Sequence, residues 1–281
     1  MIKFIDKDKN LGFMQGRLVK DEKNLIQSFP TKNWVKEFSI ANQLRLRKME
    51  WTIDRTNILK NPLFNKKQIL KIKNLSKAND IKIESVTCDF FMQRPFFKIV
   101  NKKKMYIEIS LLKSLFKLSK EIGIKHFILP LVDNSSINNK KEEQVLIKEL
   151  IKVSKILKVN KQKILFEIDY PPIKLKNFIK KFPPIVFGIN YDLGNSASNG
   201  YDLKDEIDYF KYVKNIHIKD RKLNGPTVPL GKGDVNFTFF FKSMKKINYK
   251  GNFILQTARG KNDINEIKKN IIFLKKFNFF D

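Results

Sequence analysis

The chain has 281 residues, 42% of them hydrophobic and 30% charged, with a formal net charge of +29. One cysteine excludes an intrachain disulfide, no apolar run approaches the roughly 18 residues of a membrane span, and the N-terminus MIKFIDKDKN has no apolar signal core. This length suits one large α/β domain, and these features together predict a cytoplasmic protein with no membrane partner.

Short apolar, β-branched or aromatic runs alternate along the chain with longer, lysine-rich amphipathic runs, the textures of strands and helices. Strands are predicted at 11–18 (LGFMQGRL), 46–54 (LRKMEWTID), 81–91 (IKIESVTCDFF) and 126–134 (HFILPLVDN). Four more follow at 163–170 (KILFEIDY), 185–195 (IVFGINYDLGN), 213–221 (VKNIHIKDR) and 251–259 (GNFILQTAR). Helical segments fall in the gaps, for example 107–122, 140–158, 202–212 and 262–277. Eight strands alternating with helices predict an α/β fold, a closed (β/α)8 TIM barrel, with residues 1–281 as a single domain. An open doubly wound sheet is the rival, weakened because no GxGxxG or P-loop follows the first strand. Two stretches read as working loops at the C-terminal mouth of such a barrel: 55–64, and 222–235 with three glycines and two prolines.

The excess charge is almost all lysine, spread along the chain among Asn, Ile and Phe. That mixture reads as A/T-biased coding rather than a dedicated nucleic-acid surface, so no nucleic-acid partner is expected. A lysine-rich surface would still draw in anionic substrates.

Side chains alternate along a strand, so parity separates the barrel interior from the helix-facing side. In the last four strands the greasy parity holds Phe166 and Ile168, then Phe187, Ile189 and Tyr191, then Ile216 and Ile218, then Phe253 and Leu255. The opposite parity turns polar toward the C-terminal end and aims Glu167, Asp192, His217 and Gln256 inward at similar depth. Strands lie roughly 4.8 Å apart, so four such ends can converge on one ion. A Glu/Asp/His/amide set suits one divalent cation such as Mn²⁺, Mg²⁺, Co²⁺ or Zn²⁺, and without a thiolate it does not suit structural zinc. Each residue alone has a plainer reading. Glu167 could pair with a lysine, Asp192 could form a turn before Gly194 and Asn195, His217 could be a hydrogen-bonded core histidine, and Gln256 could be structural. Four together are hard to explain as packing, because unpartnered buried polar groups are costly.

The segments GFMQGRL, EWTID, VTCDFFM, LPLVDNS, LFEIDYPP, NYDLGNSASNGYD, HIKDRKLNGPTVPLGKGD and ILQTAR resemble successive strand ends of the xylose-isomerase-like barrels, the sugar phosphate isomerases/epimerases. The likeness runs from about residue 11 to 275, and the HIKDR…GKGD block is its most specific part. It implies one divalent metal, often manganese, held by Glu167, Asp192, His217 and the strand-8 position Gln256. In the well-known epimerases that last position is a glutamate. Those enzymes use two glutamates, one removing a proton and one returning it, and Gln256 cannot take a proton. The resemblance therefore implies an isomerase or epimerase, with a one-base isomerisation through Glu167 favoured. A metal-assisted hydride shift would also dispense with the second base.

Other residues belong to the predicted mouth. Lys219 and Arg221 share the parity of His217 and could bind phosphate or neutralise an enediolate, or simply pair with Asp220 or Asp192. Gln15 and Arg17 end the first strand and Arg259 ends the eighth, its neighbour in a closed barrel, so the two arginines could form one anion pocket. Glu50 and Asp89, ending the second and third strands, could hydrogen-bond sugar hydroxyls or as easily cap the loops that follow, and Asn195 is a further candidate for binding a small anionic or polyhydroxy substrate. Trp51 and Phe90 read as core, and His126 as structural at the opposite rim. Two alternatives stay open: a non-catalytic sugar- or metabolite-binding barrel, suggested by Gln256, and a nuclease of the endonuclease IV type. The second is favoured by charge and disfavoured by a total of two histidines. A homo-oligomer is also open.

Overall fold

Each predicted strand region contains a strand of the computed structural model, which describes residues 10–19, 27–56, 58–260 and 262–279. The strands are β1 Leu11–Met14, β2 Lys48–Thr52, β3 Lys82–Thr87, β4 His126–Leu131, β5 Lys163–Ile168, β6 Phe187–Asp192, β7 Val213–Ile218 and β8 Asn252–Leu255. They close in the order β1-β8-β7-β6-β5-β4-β3-β2. Every pair around the ring is parallel. The fold is the expected closed (β/α)8 barrel. The ends of the expected domain, 1–9 and 280–281, lie outside the described residues, as do 20–26.

The helices are α1 Lys36–Gln43, α2 Lys66–Asn79, α3 Asp89–Gln93, α4 Lys102–Ser119, α5 Lys140–Asn160, α6 Pro172–Ile179, α7 Leu193–Ser198, α8 Leu203–Glu206, α9 Phe237–Lys246 and α10 Asp263–Lys275. The asparagines that look like coding bias have a local use. Asn65, Asn101, Asn139, Asn236 and Asn262 cap α2, α4, α5, α9 and α10, each side chain accepting a backbone N–H of the first turn. In α5 the buried residues Leu146, Leu150, Val153 and Leu157 recur at helical spacing. Each such burial stabilises by about 1.5–3 kcal/mol. Between strands and helices lies an aromatic layer in which Phe166, Phe178, Phe182 and Phe187 pack with centroids 4.8–5.8 Å apart. Trp51 and Phe90 are buried in this core, as expected.

Three predicted elements differ. The strand expected over 81–91 ends at Thr87, and Asp89 opens α3. The helix expected over 202–212 is one turn of α8 followed by a 3-10 segment, Ile207–Tyr212. The strand expected over 213–221 stops at Ile218, and Asp220–Arg221 leaves the barrel to pair antiparallel with Thr227–Val228. Asp220 explains that departure. Its buried carboxylate accepts the backbone N–H of Gly231 and Gly233, both at 2.8 Å, and of Val235 at 3.2 Å, folding 222–235 back over the end of β7.

Candidate metal centre

Register brings the polar strand ends together. Asp192 and His217 are direct partners across β6 and β7. Glu167 lies on β5 beside them. One ligand atom from each of Glu167, Asp192 and His217 lies within 4.8 Å of the others, and all three residues are buried. His217 Nδ1 stands 3.2 Å from Glu167 Oε2 and 3.9 Å from Asp192 Oδ2. Burial alone would push the imidazole pKa down, but the carboxylates of Glu50 and Glu167 outweigh it and hold the value up at about 10.

Carboxamides fix the carboxylates. Asn190 Nδ2 donates to Glu167 Oε2 at 3.0 Å and lies 3.1 Å from His217 Nδ1. Asn195 Nδ2 donates to Glu167 Oε1 at 3.2 Å, and Arg221 Nη1 donates to Asn195 Oδ1 at 2.9 Å. The Arg221 guanidinium is itself held on the carbonyl of Gly225, within the 222–235 loop. Lys219 Nζ donates to Asp192 Oδ2 at 2.9 Å, while the Asn195 backbone N–H donates to Asp192 Oδ1 at 2.8 Å. Burial alone would raise the Asp192 pKa, but the Lys219 and His217 charges hold it below its ordinary value.

Gln256 follows β8 by one residue, and its backbone N–H donates to the Ile218 carbonyl at 3.0 Å. Its Oε1 is buried with no hydrogen-bond partner among the described residues. Two carboxylates, an imidazole and an orphaned amide oxygen are the hard and borderline donors a divalent cation takes. The residues fit such an ion.

The remaining expected mouth residues are spread around the barrel. Glu50 is placed beneath His217 rather than at the open mouth, with Oε1 2.8 Å from His217 Nε2 and Oε2 accepting Asn215 Nδ2 at 3.0 Å. That position is a correction to its expected contact with substrate hydroxyls, because both oxygens are engaged and the side chain has no exposed surface. Gln15 knits β1 to β2, its Oε1 accepting the Thr52 N–H at 3.1 Å, while its Nε2 is buried without a partner among the described residues. Arg17 and Arg259 share one cluster with Glu37 and Asp263. Burial first, and then the Arg259 charge, pulls the Arg17 pKa down to about 9. Arg259 pairs with Asp263 at 3.2 Å, and Glu37, buried against the Gly16 and Leu18 amides, is pushed up to about 8. Asp89 is buried at the end of β3. Burial and the Glu167 charge raise its pKa to about 7, and its Oδ2 has no partner among the described residues.

Sequence reasoning passed over Asn190, Asn215 and Glu206. The first two were legible, since Asn190 lies two residues before Asp192 and Asn215 two before His217, on the same inward parity. Glu206 was not. Its buried carboxylate accepts from Tyr191, Ser196 and Tyr209 at 2.6–2.7 Å, tying the residues next to Asp192 and Asn195 to α8.

A relative from Haemophilus influenzae, named provisionally as an L-ribulose-5-phosphate 3-epimerase, is 25% identical over 82% of this chain and 85% of its own length. Solved structures share the fold. D-psicose 3-epimerase from Clostridium cellulolyticum H10, with D-tagatose, superposes with a TM-score of 0.71 at 11% identity, covering 96% of this chain and 99% of that one. An IOLI protein with a zinc atom gives 0.73 at 14% identity, over 95% and 99%. No described helix is long and apolar enough to cross a membrane. Residues 41–277 match the xylose isomerase-like TIM barrel family, and with the closed barrel and its polar strand ends in place, the chain belongs to that family.

Proposed function

We propose that the protein is a divalent-metal-dependent isomerase or epimerase of a small polyhydroxy carbonyl compound, with one-base isomerisation the favoured route. The carrying observation is the cluster of Glu167, Asp192 and His217 at the C-terminal end of three successive strands, where reactions run in this fold. Glu167, Asp192, His217 and the Gln256 amide oxygen would hold the ion, manganese being the first choice and zinc, magnesium or cobalt also compatible with these donors. When bound, the ion polarises a substrate carbonyl and offsets negative charge that develops on it.

The chain's own groups carry the rest. Glu167 removes the proton α to the carbonyl and returns it to the neighbouring carbon. Its two oxygens are held by Asn190 and Asn195, so the carboxylate cannot turn away between the two steps. Lys219, next to Asp192, places a positive charge where an oxyanion forms. Arg221, half-buried and anchored on the Gly225 carbonyl, holds the Asn195 carboxamide and brings positive charge beside Glu167's partner. Arg17 and Arg259, clustered between β1 and β8, suit an anionic end of the substrate. Gln256 withholds the second base that two-base epimerisation needs.

The same glutamine supports a second reading, a metal-loaded binding barrel without turnover. The nuclease reading loses support from position. His126 opens β4 at the N-terminal rim, so His217 is the single histidine at the mouth among the described residues. To test the proposal, L-ribulose 5-phosphate and D-tagatose are incubated with Mn²⁺-loaded protein in D₂O and the products read by NMR. Isomer formation by wild type, lost in Glu167→Gln and His217→Ala, supports it. Full activity in either variant contradicts it, and tight ligand binding with no turnover favours the second reading.

A further inference from the structure

We propose that Glu50 is the positioning residue of the metal centre, supplying behind His217 the negative charge that Gln256 does not bring as a ligand. This rests on the metal reading above. Glu50 has no exposed surface, and among the described residues no lysine or arginine is paired with it. Its neighbours are an imidazole and a carboxamide: His217 Nε2 at 2.8 Å and Asn215 Nδ2 at 3.0 Å. A buried carboxylate held only by such groups is costly unless positive charge lies close by. The ring of His217 stands between this carboxylate and the pair Glu167 and Asp192, which face its Nδ1.

Two consequences follow. With Nε2–H donating to Glu50, Nδ1 is the nitrogen that would give up its proton to an ion in the ligand cluster, so Glu50 selects the coordinating atom. A carboxylate behind a ligating imidazole also raises its basicity. The direct donors supply two negative charges, from Glu167 and Asp192, since Gln256 is neutral. Glu50 adds a third, one ring away from the ion. Asn215 completes the brace: its Nδ2 also donates to Asn190 Oδ1 at 2.7 Å, and Asn190 holds Glu167. One chain of side chains thus runs from β2 across the barrel interior to β5.

The test measures Mn²⁺ affinity by titration for wild type, Glu50→Gln and Glu50→Gln/Gln256→Glu, with thermal melts as a check on folding. Glutamine keeps the shape of Glu50 and an acceptor for Nε2–H but turns its NH2 toward Asn215 Nδ2, so the double variant, which restores charge at Gln256 and leaves that contact altered, separates the charge from the lost Asn215 bond. The expected loss is about 10–100-fold in affinity, with most of it restored in the double variant. Separately, ¹¹³Cd-loaded, ¹⁵N-labelled protein should show coupling at Nδ1 of His217, assigned against His126→Gln. An unchanged affinity in Glu50→Gln, no rescue by Gln256→Glu, or coupling at Nε2 would overturn the inference while leaving the metal reading intact. Failure of wild type to bind any divalent ion overturns both.

Discussion

Glu167 accepts a hydrogen bond at each oxygen from a carboxamide, and His217 carries a carboxylate against each ring nitrogen. Donors at both oxygens fix the orientation of the carboxylate that acts as base in the proposed reaction. Glu167→Gln should therefore cost at least about 10²-fold in turnover while the fold survives, checked by steady-state assay beside a melt. Asn195→Ala should cost less, because it frees one Glu167 oxygen without removing the base. Parity along each strand made the buried cluster of Glu167, Asp192 and His217 legible, since alternation decides which side chains point inward. The role of Glu50 was not legible. Its partner is a histidine 167 positions away on a strand that is not its neighbour, and periodicity says nothing about which interior side chains meet across the axis.

At the scale of elements, the loop 222–235 depends on one buried carboxylate. A Cβ added to Gly233 would lie 2.0 Å from Asp220 Oδ1, so only glycine lets the loop close on Asp220. Gly233→Ala should displace the Asp220 bonds, which would release the Gly225 carbonyl from Arg221 and loosen the hold on Asn195. The expected stability loss is about 1–3 kcal/mol, read by denaturant unfolding, together with weaker substrate binding. A wild-type unfolding midpoint in that variant would contradict the clamp. The long amphipathic helices were legible because their apolar spacing is helical, while the capping asparagines at their starts were hidden in a composition that reads as coding bias. The 202–212 segment was not, since Asp202 caps a single turn before a 3-10 stretch that anchors Tyr209 to Glu206. Tertiary hydrogen bonding decides its geometry, not its pattern.

At the scale of the whole molecule, the two barrel ends differ in chemistry. The mouth gathers Glu167, Asp192 and His217, whereas the opposite rim holds Lys48, Glu84 and His126. Burial lowers the His126 pKa from 6.5 to about 4, although Glu84 and Glu50 pull it back up. The folded chain thus binds this proton less readily than the unfolded one. The stability tied to neutral His126 is present above pH 6.5 and is lost as the pH falls toward 4. His126→Gln should lose less stability than wild type between pH 7 and about 4.5, by thermal melts across that range. An identical slope in both proteins would contradict the burial effect.

The most direct measurement is the divalent metal content and affinity of the purified protein beside a His217→Ala variant. About one ion per wild-type chain, with binding lost in the variant, is the result expected of a closed ligand set on β5, β6 and β7. A wild-type protein that binds no divalent ion, or a variant that binds one equally well, would contradict it.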